Sequence, residues 1–161
     1  MISMKAEDEK FMREAIKICE RGVNAGQAPF GAVIVKNKRI IARGHNEVWA
    51  DTDITAHGEI VAIRNANRKL KSVKLKGCTI YSTTEPCPMC FSAIHWARMD
   101  RIVYGASIKD AKKAGFHELT VSNKEMKRKG GSAVEITGGV LARECRKQLK
   151  QWKLLRKCGT Y

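Results

Sequence analysis

The run CTIYSTTEPCPMCFSAIHWARMDRIVYGAS, from Cys78 to Ser107, admits few folds. CTIYST reads as a buried strand, Pro88 to Arg98 as a short helix, and RIVYGAS as a second buried strand. Strands joined through a helix run parallel, because a parallel pair needs a crossover connection. A sheet containing such a pair needs helices on both faces.

The rest of the chain extends that unit. Ala6 to Gly26 predicts a helix, with Phe11, Ala15, Ile16, Cys19 and Val23 at helical spacing and NAG as its stop. PFGAVIVKNKRIIARGHN reads as an antiparallel hairpin: Val33 to Val35, a turn at Asn37-Lys38, then Ile40-Ile41. His57 to about Lys71 is helical, turning Ile60, Val61, Ile63, Ala66 and Leu70 inward. AVEITGG is a fifth strand and Val140 to Lys157 a closing helix. The order α-β-β-α-β-α-β-(α)-β-α predicts one domain over residues 1–161, an α/β three-layer α-β-α sandwich on a five-stranded mixed sheet.

At about 100° per residue, Leu141, Cys145, Leu149, Trp152 and Leu155 share one side of the closing helix. Arg143, Arg146, Lys147, Lys150, Lys153 and Lys157 share the other. The first set is a core stripe. The second is a solvated face, a nucleic-acid contact or part of a subunit interface. The net charge of +15 fits phosphate binding and equally a lysine-rich soluble surface. Three tryptophans, three tyrosines and four phenylalanines make no evident stacking platform for single strands. MISMKAEDEK has no signal-like apolar stretch, and no run has the roughly 20 apolar residues of a membrane span. A soluble cytoplasmic protein is expected. There, six cysteines point to metal or redox chemistry rather than disulfides.

Two stretches carry the chemistry. In TTEPCPMC, Pro88 opens a helix, because its missing N–H would be unpaired in the first turn. Cys87 is then the N-cap, and Cys87 and Cys90 lie at the helix's positive end, which favours thiolates. Zinc takes four ligands, and an enzyme keeps one position for water. Of the histidines His45, His57, His95 and His117, His57 is the best third ligand, at a helix start with Glu59 two residues on. Glu59 is about 200° around the helix from His57, which suits a non-ligand role. No second CxxC exists to make a zinc ribbon, and no thioredoxin-like pattern precedes this one.

His57-Gly58-Glu59 followed by Pro86-Cys87-Pro88-Met89-Cys90 matches the H-x-E and P-C-x-x-C signature of zinc nucleobase deaminases. The chain resembles the cytidine-deaminase-like superfamily over nearly its whole length. The likeness also covers the first helix, PFGAVIV, HN, TAHGE and VEITGGVLARECRKQL. It implies zinc on His57, Cys87 and Cys90, with Glu59 as general acid and base. A metal in such a site lowers the pKa of its water towards about 7. The resemblance also implies a substrate pocket of Asn46, Phe30, Trp96, Ala56, Glu118 and Tyr161, and a homodimer.

Sub-family features point in more than one direction. EPCPMCFSAIHWARMDRIVYGASIKDAKKAGF, PFGAVIV and Tyr161 look most like guanine and nucleoside deaminases, in which a terminal tyrosine closes a site, often from a swapped neighbouring subunit. That group usually has two acidic residues after GF; here His117 and Glu118 follow Phe116. ITAHGE and VEITGGVLARECRKQL look like tRNA adenosine deaminases, which usually carry Leu where Thr84 stands. Gly58 within the first motif also occurs in yeast-type cytosine deaminases. Guanine is the first expectation, with adenosine in tRNA and cytosine as alternatives.

Overall fold

The computed structural model describes residues 3–155 and 158–161. Its elements are α1 (Met4–Asn24), β1 (Gly31–Lys36), β2 (Arg39–His45), α2 (Val48–Asp51), α3 (Gly58–Leu70) and β3 (Cys78–Thr84). Then follow α4 (Pro88–Trp96), β4 (Arg101–Ala106), α5 (Ile108–Lys113), α6 (Asn123–Gly130), β5 (Glu135–Thr137) and α7 (Ala142–Leu155). Sheet order is β2-β1-β3-β4-β5. β1 pairs antiparallel with β2 and β3, and β3, β4 and β5 are parallel. The expected five-stranded mixed sheet is present, including the parallel pair on either side of α4.

The hairpin turns on Asn37 and Lys38, both at positive φ. Two such residues match the right-handed twist of the flanking strands. Alternating side chains on β1 divide the core. Val33 and Val35 join Phe11, Met12, Ala15 and Ile18 of α1 and Cys145, Leu149 and Trp152 of α7. Ala32 and Ile34 join Ala62, Ile63 and Ala66 of α3 and Phe91 and Ile94 of α4. Gly44 lets β2 and α3 touch: a Cβ there would lie 2.5 Å from Ala62 N and Gly58 O. On the α1 side, Asp8 receives two 2.8 Å bonds from Arg101 and one from the Tyr81 hydroxyl.

Three expectations need correction. The single helix between the fourth and fifth strands is two, α5 and α6, each opened by a capping box, Ser107 with Asp110 and Ser122 with Glu125. The closing helix begins at Ala142, because Leu141 sits at φ 50°. Its stripe ends at Trp152: Leu155 is 62% exposed, since the last turn runs past the core cluster. Arg143, Arg146, Lys147, Lys150 and Lys153 are exposed as expected, and Lys157 lies outside the described residues. Among the described residues, no helix is long and apolar enough to cross a membrane.

Candidate metal centre

Two helices start side by side. His57 is the N-cap of α3 and Cys87 the N-cap of α4, with Pro88 in its first turn. The sulfurs of Cys87 and Cys90 each lie 3.6 Å from His57 Nδ1, and one ligand atom from each residue falls within 4.8 Å of the others. The hydrogen bond from Cys90, then that with His57, pulls the Cys87 thiol down to about 4. The same bond and burial push Cys90 well up. Burial opposes charge on His57, but its bond to Cys87 and the nearby Glu59 raise it. One imidazole and two thiols converging on one point, two of them at positive helix ends, form a donor set that fits zinc with a position left open. The sequence placed these three residues together, and the structure brings them together.

Glu59 lies beside this triad. It is 6% exposed, with Oε2 3.5 Å from Cys90 Sγ and Oε1 receiving the Ser82 hydroxyl at 2.9 Å. Burial, then the nearby Cys87, raises its pKa. An inner cavity of about 20 Å³ is lined by His57, Glu59 and Cys87 together with Phe30, Thr84, Glu85, Glu118 and Tyr161. An outer one of about 270 Å³ shares His57, Cys87, Glu118 and Tyr161 and adds Ile54, Pro88, Met89, His117 and Leu119. Burial and Cys87 push the Glu118 carboxyl up to about 7.

Tyr161 stands between the two cavities. Its ring centroid is 5.4 Å from that of His57 and 5.4 Å from that of Phe116, its hydroxyl meets Asn46 Nδ2, and its backbone oxygen accepts from His117 N at 3.1 Å. The tail therefore lies over the cleft of its own chain. Asn46 Oδ1 accepts from Val48 N, which leaves Nδ2 turned to Tyr161 and the cleft. Its backbone N–H binds Phe30 O at 3.0 Å, and the Ala56 carbonyl accepts from Glu47 N at 2.9 Å. Ala56 is buried, next to His57.

Trp96 does not join this group. It ends α4, about 12 Å along the axis from Pro88 by helix rise. It is 72% exposed, with the Arg98 guanidinium over its ring and His95 against its edge. Its expected place in the pocket is corrected accordingly for its own chain. His95 binds Ser132 Oγ at 3.0 Å, and the His117 side chain is exposed.

Several contributors were missed in the sequence. Glu85, 6% exposed, accepts from Ile108 N at 3.1 Å and Asn123 N at 2.8 Å. It holds the first residues of α5 and α6, while Asn123 Nδ2 binds Pro86 O at 2.6 Å. Asp53 Oδ1 accepts from Thr55 N and Thr55 Oγ1, shaping the approach to His57. S-x-x-D and S-x-x-E were readable capping signals. Nothing local marked Ser82 or Glu85.

A family model described as the cytidine and deoxycytidylate deaminase zinc-binding region matches residues 5–106. The guanine deaminase of Bacillus subtilis (strain 168) is 48% identical over 111 residues, 68% of this chain and 71% of that protein. A tRNA-specific adenosine deaminase of Buchnera aphidicola subsp. Schizaphis graminum is 37% identical over 145 residues, 90% of this chain and 93% of that one. A crystal structure of a protein in complex with 2,6-diaminopurine superposes with a TM-score of 0.86 at 25% identity, covering 96% of this chain and 83% of the other. With the triad, these matches place the chain in the cytidine and deoxycytidylate deaminase family, whose members are hydrolytic deaminases that use zinc.

Proposed function

We propose that this protein hydrolyses the amine from a free nucleobase, converting guanine and water to xanthine and ammonia. The observation that carries this reading is the tail. Tyr161 sets an aromatic ring beside His57 with its hydroxyl on Asn46, across the inner cavity. A cleft closed by Tyr161 of the same chain suits a small planar substrate better than a base joined to a polynucleotide. The inner cavity is smaller than a purine, so Tyr161 moves aside as the base enters.

In this reading His57, Cys87 and Cys90 hold zinc. Zinc held there supplies the Lewis acidity that activates water at neutral pH. Glu59 takes one proton from the water and passes it to the ring nitrogen, then takes the second proton of the same oxygen and gives it to the amino group, which leaves as ammonia when the C–N bond breaks. Asn46 donates to an acceptor on the base. Glu118 accepts from an N–H on its opposite edge, the task left to it where His117 replaces an acid. Phe30 and Tyr161 wall the ring, and Ala56 lines the approach to His57. A cytoplasmic homodimer, with or without exchange of the tails, belongs to the same proposal.

One observation favours a second reading, a tRNA adenosine deaminase. Arg143, Arg146, Lys147, Lys150 and Lys153 stand exposed on α7, and none joins an ion pair among the described residues. Such a face can hold phosphates. Cytosine remains the third candidate on the strength of Gly58.

The experiment is ammonia release from guanine, cytosine and a tRNA anticodon stem-loop. Turnover of guanine is expected, reduced roughly tenfold by deleting residues 159–161, with zinc retained. That size corresponds to losing about 1.4 kcal/mol of transition-state stabilisation. Turnover of the stem-loop alone, lost when Arg146, Lys147 and Lys150 become Glu, overturns the proposal in favour of tRNA.

A further inference from the structure

We propose that Ser82 is a positioning residue for Glu59, fixing which carboxylate oxygen faces the reaction. The inference rests on Glu59 as the proton carrier of the reading above. Ser82 lies on β3, facing Glu59 of α3, and is 2% exposed. Its neighbour two residues back on the same face is Ile80, in the apolar core beneath α3 and α4. A hydroxyl in such a place must be satisfied locally, because burying it unpaired is costly.

Ser82 Oγ has two acceptors, Glu59 Oε1 at 2.9 Å and Thr84 O at 2.7 Å. It has one proton to give. The carboxylate is the charge-assisted and stronger acceptor, and the Thr84 carbonyl can only share that proton in a bifurcated bond. Ser82 therefore pins Oε1 against β3. The other oxygen, Oε2, is left on the side of the triad, 3.5 Å from Cys90 Sγ. With Oε1 held, the carboxylate cannot rotate freely, and Oε2 becomes the atom that exchanges protons with water and substrate. A methyl group at position 82 would remove the hydroxyl that holds Oε1 and leave the buried carboxylate with only the Cys90 sulfur as a side-chain partner. A near-attack arrangement is sensitive to such freedom, since small misplacements cost large factors in rate.

The test uses the zinc-loaded enzyme and Ser82→Ala, Ser82→Thr and Glu59→Gln. Ser82→Ala is expected to bind one zinc as the parent does. Its kcat should fall roughly tenfold, the effect of losing one bond to a charged group, with KM within about twofold, the split of an interaction that acts only in the transition state. Ser82→Thr keeps the hydroxyl on a residue suited to a strand and should restore kcat to within about threefold of the parent at that strand position. Parental kcat in Ser82→Ala overturns the proposal. So does loss of zinc with KM and kcat shifting together, which marks packing rather than positioning, or a folded, zinc-loaded Ser82→Thr as slow as Ser82→Ala. Glu59→Gln separates the two failures. If it turns over substrate at the parental rate, the underlying reading fails; if it is inactive and Ser82→Ala is fast, only the role of Ser82 fails.

Discussion

Two pairs of helix N-termini meet at the same end of the sheet, and the chain treats them in opposite ways. α5 and α6 are fully capped: Ser107 and Ser122 accept from the third residue, Asp110 and Glu125 reach back, and Glu85 binds the first N–H of each helix. α3 and α4 have no side-chain cap at all. Their N-cap positions are taken by His57 and Cys87. A good cap contributes about 1 kcal/mol, and the chain forgoes it twice in the same place. There the free positive helix ends face two sulfurs, an imidazole and whatever cation they hold. Glu59 and Glu85, equally buried and lining one cavity, show the same division. Glu85 is saturated by backbone and serves as a brace. Glu59 has for side-chain partners only one hydroxyl, on Oε1, and one sulfur, on Oε2.

The comparison can be broken most directly at the uncapped pair. Cys87→Ser should lose zinc and essentially all turnover, as metal analysis and an ammonia assay would record; full zinc and activity would remove Cys87 from the centre. Glu59→Gln should keep zinc and lose 10²- to 10⁴-fold in rate, roughly the usual size of general acid–base catalysis; a loss below about tenfold would make Glu59 another brace.

At the capped pair the effects should appear in stability. Glu85→Ala leaves two buried backbone donors without a partner and should cost about 3 kcal/mol in denaturant unfolding. A change under about 0.5 kcal/mol would mean that these helix ends are held by something else.

Smaller effects sharpen the contrast. Cys87→Ser and Cys87→Ala should both lack zinc, yet the serine variant should unfold about 1 kcal/mol later, because serine caps a helix and alanine does not. Equal stability would show that the start of α4 gains nothing from a cap. Ser122→Ala, at an exposed cap, should cost about 1 kcal/mol or less and leave kcat and zinc content unchanged.

The sequence by itself determined whatever depends on neighbours along the chain. Helical and strand periodicities set the order of elements. Pro88 set the start of α4, and residue types capable of holding zinc stood at recognisable spacings in His57, Cys87 and Cys90. Only the tertiary structure decided who meets whom across the sheet. Trp96, a pocket residue by resemblance, ends on the far end of α4 because nine helical residues carry it away from the ligands. Leu155 keeps its helical phase but has no core left to face. Asn46 meets Tyr161 across 115 positions, and Ser82 meets Glu59 across 23. These contacts follow from strand register and from the close approach of β2 and α3 at Gly44. Local preference acts over a few residues, whereas such pairings arise only when the layers pack.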